Sequence, residues 1–156
     1  MEPVRPDYGG AALTSVMAAL VGGQPHAEAP SWLPAAVADA ESVVLLVLDG
    51  LGWNALESHR SVLPRITSLA GGPITTVAPS TTASALTSLS TGLAPSQHGV
   101  VGFRIRIDGG VMNVLRWRRA DGRHAPDPFS VQRHSAFGGR PVPVVTKSEF
   151  STTGFT

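Results

Sequence analysis

Three hydroxyl residues in a row, Ser80, Thr81 and Thr82, follow Pro79 and precede a stretch in which Ala85, Leu86 and Leu89 recur at helical spacing up to Gly92. A hydroxyl at the start of a helix lies among backbone N–H groups that have no intrahelical acceptor. Those donors and the helix dipole draw anions, phosphate above all, and the same field favours ionisation of a hydroxyl. A threonine oxygen is still a weak nucleophile at neutral pH, so it needs a neighbouring base or a cation that stabilises the alkoxide. A residue suited to hold such a cation stands upstream: Asp49, directly after the apolar run VVLLVL at 43–48 and before Gly50. Each also has a plain structural reading, as a helix N-cap for the hydroxyls and as turn chemistry for Asp-Gly.

The elements that must position these groups follow from the hydrophobic pattern. A modest apolar run from Ala11 to Val21, with Leu13, Val16, Met17 and Leu20 in helical register, predicts a short amphipathic helix. Between Gly22 and Pro34 the density of Gly and Pro marks a surface connection. The run Val43–Leu48 has the pattern of a strand buried on both faces of a parallel sheet, which would set Asp49 at a carboxyl end, where open α/β sheets bind ligands. Two short helical stretches are expected over Leu51–Arg60 and Val62–Ala70, a strand over Ile74–Val77, and then the hydroxyl cluster and its helix. Residues Phe103 to Trp117 alternate about Asp108-Gly109-Gly110, a hairpin signal. Residues Asp121 to Gly139 read as a polar loop or insertion, and Val142 to Thr146 as a last strand. The final residues, 151–156, bring neither a closing helix nor a charged tail, and the expectation is a piece of a longer polypeptide.

Composition narrows the partners. The 156 residues carry 12 basic and 11 acidic side chains, a net charge of +1, which leaves no electrostatic footprint for a nucleic-acid duplex or an anionic membrane. With 0 cysteines, any metal must be held by Asp, Glu, His or hydroxyl oxygen. The first twenty residues have neither the basic start nor the cleavage pattern of a secretory signal, and the Ala11–Val21 run falls short of the roughly 20 apolar residues of a membrane span. The expectation is a cytoplasmic protein.

The joint pattern is more specific than its parts. LVLDGLGW at 46–53 and PSTTASALTSLSTGLAPSQHGVVG at 79–102 together resemble the alkaline phosphatase superfamily, and within it the nucleotide pyrophosphatase and type I phosphodiesterase branch. The resemblance implies an alkaline-phosphatase-like α/β fold, a mainly parallel sheet flanked by helices. Residues 1–156 would be the N-terminal portion of one catalytic domain: 1–40 a helix and linker, 41–102 the metal-Asp strand and nucleophile helix, 103–156 a hairpin, loop and last strand. It assigns Asp49 as a metal ligand and Thr82 as both nucleophile and metal ligand, with Thr81 the runner-up, and it matches Thr91-Gly92-Leu93, Pro95 and His98-Gly99 to the segment after the nucleophile. It implies two divalent cations, usually zinc, and hydrolysis of phosphodiester or nucleotide pyrophosphate bonds through a phospho-threonine. Where many relatives carry a phosphate-contacting Asn, three residues after the nucleophile, this chain has Ala85. The family's further Asp and His ligands map onto nothing before Thr156, so the chain alone is expected to be inactive.

The remaining charged groups read as structural. His26, His59, His124 and His134 show no paired metal spacing, and His98 is expected to bond the loop after the nucleophile helix. Arg116, Arg118, Arg119 and Arg123 around Trp117 fit a solvated hairpin end better than a phosphate or nucleic-acid site. The reading from a different class is a non-catalytic α/β domain, truncated or degenerate, that binds a phosphate or a protein partner.

Overall fold

Helix α1 forms over Leu13–Val21 and buries Thr14, Val16 and Met17, close to the expected face. The computed structural model describes residues 4–21 and 29–150. The chain divides into two compact units, residues 1–23 with 75–156, and residues 24–74. In the first unit the backbone before α1 meets Thr75 in a parallel bridge: Leu13 N–H donates to the Thr75 carbonyl and Thr75 N–H to the Ala11 carbonyl, both at 2.8 Å. The strand expected over Ile74–Val77 is reduced to that bridge, although Val77 is buried.

Among the described residues of the 24–74 unit lie three helices, α2 (Ala35–Ala38), α3 (Trp53–Ser58) and α4 (Pro64–Thr67), with a 3₁₀ turn at Arg60–Val62. The two stretches expected to be helical are thus helical but short. The strand expected at Val43–Leu48 is not formed: those residues join no ladder, and Val44 is 93% and Leu46 75% exposed. β-branched residues favour an extended chain, but a parallel strand is held by neighbours on both edges and layers on both faces. No strand lies among the described residues of this unit that could supply the pairing. Val142–Thr146, in the first unit, also carries no strand and leaves Val145 fully exposed; Pro143 within it has no N–H to give a ladder. The part of the Gly/Pro-rich connection at 22–28 and the final residues 151–156 lie outside the described residues.

The first unit continues with α5 (Thr82–Thr91), α6 (Pro95–His98) and a three-stranded antiparallel sheet, β1 (Arg104–Ile107), β2 (Gly110–Asn113) and β3 (Arg118–Arg119), in the order β1-β2-β3. The expected parallel sheet is therefore replaced by a small antiparallel one beside helices, which keeps the α/β character. The hairpin forms where the sequence places it: a two-residue turn, Asp108-Gly109 with φ of 47° and 75°, pairs Ile107 with Gly110. Ala83, Val100, Met112 and Val114 form the buried core, flanked by Ile105, Ile107, Leu115, Trp117 and Ala125. The polar stretch 121–139 is not wholly loop; it holds α7 (Pro128–Val131), capped by the Asp127 carboxylate on Phe129 N–H at 2.9 Å, and a 3₁₀ turn at Ala136–Gly139. Among the described residues no helix is long and apolar enough to cross a membrane.

Candidate functional site

The hydroxyl cluster separates into a cap and a first-turn residue. Thr81, with φ −81° and ψ 152°, is the N-cap of α5; its Oγ1 accepts from Ser84 N–H at 3.4 Å and lies 2.9 Å from Ser84 Oγ. The Thr81 carbonyl takes Ala85 N–H at 2.8 Å and closes the first turn. The capping role thus falls on Thr81, and Thr82 is the first helical residue, half-buried, at the positive end of the dipole.

The helix behind Thr82 is built from small hydroxyl residues that bond to their own backbone. Thr87 Oγ1 donates to the Ala83 carbonyl at 2.8 Å; Ser90 Oγ and Thr91 Oγ1 donate to the Thr87 carbonyl at 3.1 and 2.6 Å. With Ser84 Oγ paired to Thr81 Oγ1 and Ser88 Oγ to His98 Nε2, the hydroxyls of Ser84, Thr87, Ser88 and Ser90 are all buried with partners, and α5 packs against α1. Gly92 ends the helix with φ +74°, and the position its Cβ would take is 3.4 Å from the Thr14 carbonyl. A side chain there would strain the left-handed backbone as well as crowd α1.

One Ser–His contact was not legible in the sequence. Ser88 Oγ and His98 Nε2 are 2.9 Å apart, both residues are buried, and His98 Nδ1 accepts from Val100 N–H at 3.1 Å. His98 therefore ties α5 to the loop after α6, the structural role expected of it, and Ser88 is the partner that sequence spacing did not reveal. Burial first, and the nearby His134 second, lower its pKa from 6.5 to about 4, so the ring is neutral at pH 7. Of the other described histidines, His59 caps α3 through Nδ1 and the Ala55 carbonyl at 2.9 Å, and His124 and His134 are exposed.

Asp49 lies in the 24–74 unit, exposed, in a turn where Leu51 N–H reaches the Leu48 carbonyl at 3.4 Å and Gly50 takes φ +80°. Asp49 and Thr82 belong to different units, and each is described in its own. Among the described residues no three His, Asp or Glu side chains gather around one point. One carboxylate and one hydroxyl are hard donors of the right kind, but they do not fill the coordination of two cations, and the described residues do not fit a two-metal centre by themselves.

The arginine-rich hairpin end divides as well. Arg119 folds inward, with Nε 3.4 Å from Asp121 Oδ1 and Nη2 donating to the Asp108 carbonyl at 3.4 Å; Arg123 pairs with Asp121 at 2.7 Å, and Trp117 Nε1 donates to the Pro126 carbonyl at 2.7 Å. Arg116 and Arg118 are exposed.

Comparison with known proteins supplies the last link. No curated protein and no solved structure matches the chain. The family described as type I phosphodiesterase / nucleotide pyrophosphatase matches over residues 43–153, a span that holds both Asp49 and Thr82. With that match extending over well more than half of its length, the chain belongs to the type I phosphodiesterase / nucleotide pyrophosphatase family.

Proposed function

We propose that this chain carries the nucleophile of an enzyme that hydrolyses phosphodiester or nucleotide pyrophosphate bonds, with Thr82 as the attacking hydroxyl. The observation that carries the reading is the division of labour at α5: Thr81 takes the cap, and Thr82 stands in the first turn within the family match. The Thr82 oxygen attacks phosphorus, the bond to the leaving oxygen breaks, and water then cleaves the phospho-threonine to restore the hydroxyl. The first-turn N–H groups and the dipole of α5 favour the negative charge of the incoming phosphate. Asp49 is proposed as a ligand of a divalent cation, whose remaining donors would come from outside the described residues. The substrate is a small phosphodiester or nucleotide.

The experiment compares wild type, Thr82→Ala and Thr81→Ala, each in a polypeptide that also supplies the remaining metal donors, on bis(p-nitrophenyl) phosphate with zinc or manganese added. Loss of at least about a thousandfold in kcat for Thr82→Ala, with Thr81→Ala retaining activity at reduced stability, supports the reading. Phosphate on Thr82, trapped by acid quench and located by mass spectrometry, would identify the intermediate. Phosphate binding without turnover by the wild type would instead favour a non-catalytic domain.

A further inference from the structure

Among the described residues no strand pairs with the outer edge of β1. β1 is the first strand of the order β1-β2-β3, so one of its edges is open. The Ile107↔Gly110 pair closes the turn, and antiparallel alternation then directs the N–H and C=O of Ile105 and Ile107 toward β2 and those of Arg104 and Arg106 away from it. Two bonds agree with this phase: Val114 N–H donates to the Phe103 carbonyl at 3.1 Å, and Val111 spends its carbonyl on Ala120 N–H, at 2.8 Å, rather than on Arg106. Among the described residues no backbone group outside the β1–β2 ladder bonds to the main chain of Arg104 or Arg106.

The side chains along this edge are of two kinds. Arg104 and Arg106 are exposed on one face of the strand, and Ile105 and Ile107 turn to the other, against the core. Arg118 extends the positive face across the sheet through the Arg104↔Asn113↔Arg118 row. Among the described residues no carboxylate forms an ion pair with Arg104, Arg106 or Arg118. Beside the edge runs an open groove of about 410 Å³, whose apolar wall is formed by Val100, Val101, Ile105, Ile107 and Val131. His98 also lines it, but both its nitrogens are engaged by Ser88 and Val100, so the charge of the groove comes from Arg104 and Arg106.

We propose that the free edge of β1 accepts an extended peptide segment in which acidic and apolar side chains alternate. Such a strand would use the outward N–H and C=O groups of Arg104 and Arg106, present carboxylates to the two guanidinium groups, and lay the intervening side chains in the groove. The same arginines oppose the edge of a second copy of this chain, because antiparallel β1–β1 pairing would bring like charges face to face. A free phosphate would engage the guanidinium groups and leave the backbone edge and the apolar wall unused.

The test is titration of the full chain with a fluorescent peptide of alternating Glu and Val, against a Lys/Val peptide of equal length. Expected are binding of the acidic peptide alone, a loss of about two- to fivefold for each of Arg104→Ala and Arg106→Ala, and recruitment of the Lys/Val peptide by the double variant Arg104→Glu/Arg106→Glu. Arg106→Pro removes an N–H that the β1–β2 ladder does not use, and should weaken binding about tenfold relative to wild type, more than Arg106→Ala does. Circular dichroism and the melting temperature confirm that each variant is folded. Equal binding by Arg106→Pro and Arg106→Ala, full displacement of the peptide by tripolyphosphate at matched charge concentration, or no preference between the two peptides would overturn the proposal.

Discussion

His98 Nε2 donates to Ser88 Oγ at 2.9 Å because the other ring nitrogen, Nδ1, already accepts Val100 N–H at 3.1 Å. The neutral ring has a single proton, and this network assigns it to Nε2. A serine activated for attack needs the reverse, an unprotonated nitrogen facing its hydroxyl. The pair is therefore a fastener between α5 and the loop after α6, and Ser88 is not set up as a nucleophile.

The fastener makes stability depend on pH. The folded pKa of His98 is about 4, against 6.5 for an unburdened imidazole. The unfolded chain binds the proton at higher pH than the folded one, so this contribution is fully present above about pH 6.5 and is lost as the pH falls toward 4. Most carboxylates titrate lower, and the upper half of that window belongs to the imidazole. Calorimetry should show a melting temperature that is flat above pH 7 and falls by a few degrees by pH 5. His98→Gln should be less stable at pH 7 and should flatten the slope; an unchanged slope in that variant would remove His98 as its source.

Thr81 and Thr82 should part company when each is changed. Thr81→Ala removes the cap of α5 and should cost about 1 kcal/mol. Thr82→Ala removes a half-buried first-turn hydroxyl and should cost less in stability while abolishing any diester cleavage. Chemical denaturation and bis(p-nitrophenyl) phosphate hydrolysis, run on the same preparations, separate the two effects.

Met112 lies at the centre of the core shared by α5 and the sheet, only 1% exposed and beside Ala83, Val100 and Val114. Met112→Ala should cost about 2–5 kcal/mol, and Met112→Leu under about 1.5 kcal/mol. Urea titration distinguishes them. A small loss for both would mean that the hairpin does not anchor α5.

Leu46 is 75% exposed in the 43–48 run. Leu46→Lys should leave the stability within about 0.5 kcal/mol and reduce binding of a hydrophobic dye, with less aggregation. A loss of 2 kcal/mol or more, on the scale of a buried leucine, would place that side chain in a core instead.

The parts of the fold that were readable in advance are those whose determinants are local. Helix α5 needs a cap at Thr81 and a left-handed stop at Gly92, and the hairpin needs Asp108-Gly109; each signal sits within a few residues of the element it shapes. The Val43–Leu48 and Val142–Thr146 runs have the residue types of strands, but pairing is a relation to another segment, and propensity does not say whether that segment is present. Ser88 escaped notice for a related reason. A serine inside a helix has no local mark of its partner, and its contact with His98 exists only because the chain turns back after Gly92. At the candidate site, helix α5 was legible from the hydroxyl cluster and the spacing after it, whereas the distinction between cap and first-turn threonine required the geometry of Thr81.

Gly110 leaves vacant the volume that a side chain would fill, and the Arg119 guanidinium occupies it. From there Arg119 reaches the carbonyl of Asp108 in the turn and faces Asp121 beyond β3. β3 pairs through only two residues, too short a ladder to fix its own alignment. The side chain threaded back to the hairpin turn adds to that alignment, beside the Ala120 N–H bond to the Val111 carbonyl at 2.8 Å. Gly110 and Arg119 are consequently a matched pair: any side chain added at 110 would evict the guanidinium from its seat and cut the tie between the third strand and the turn.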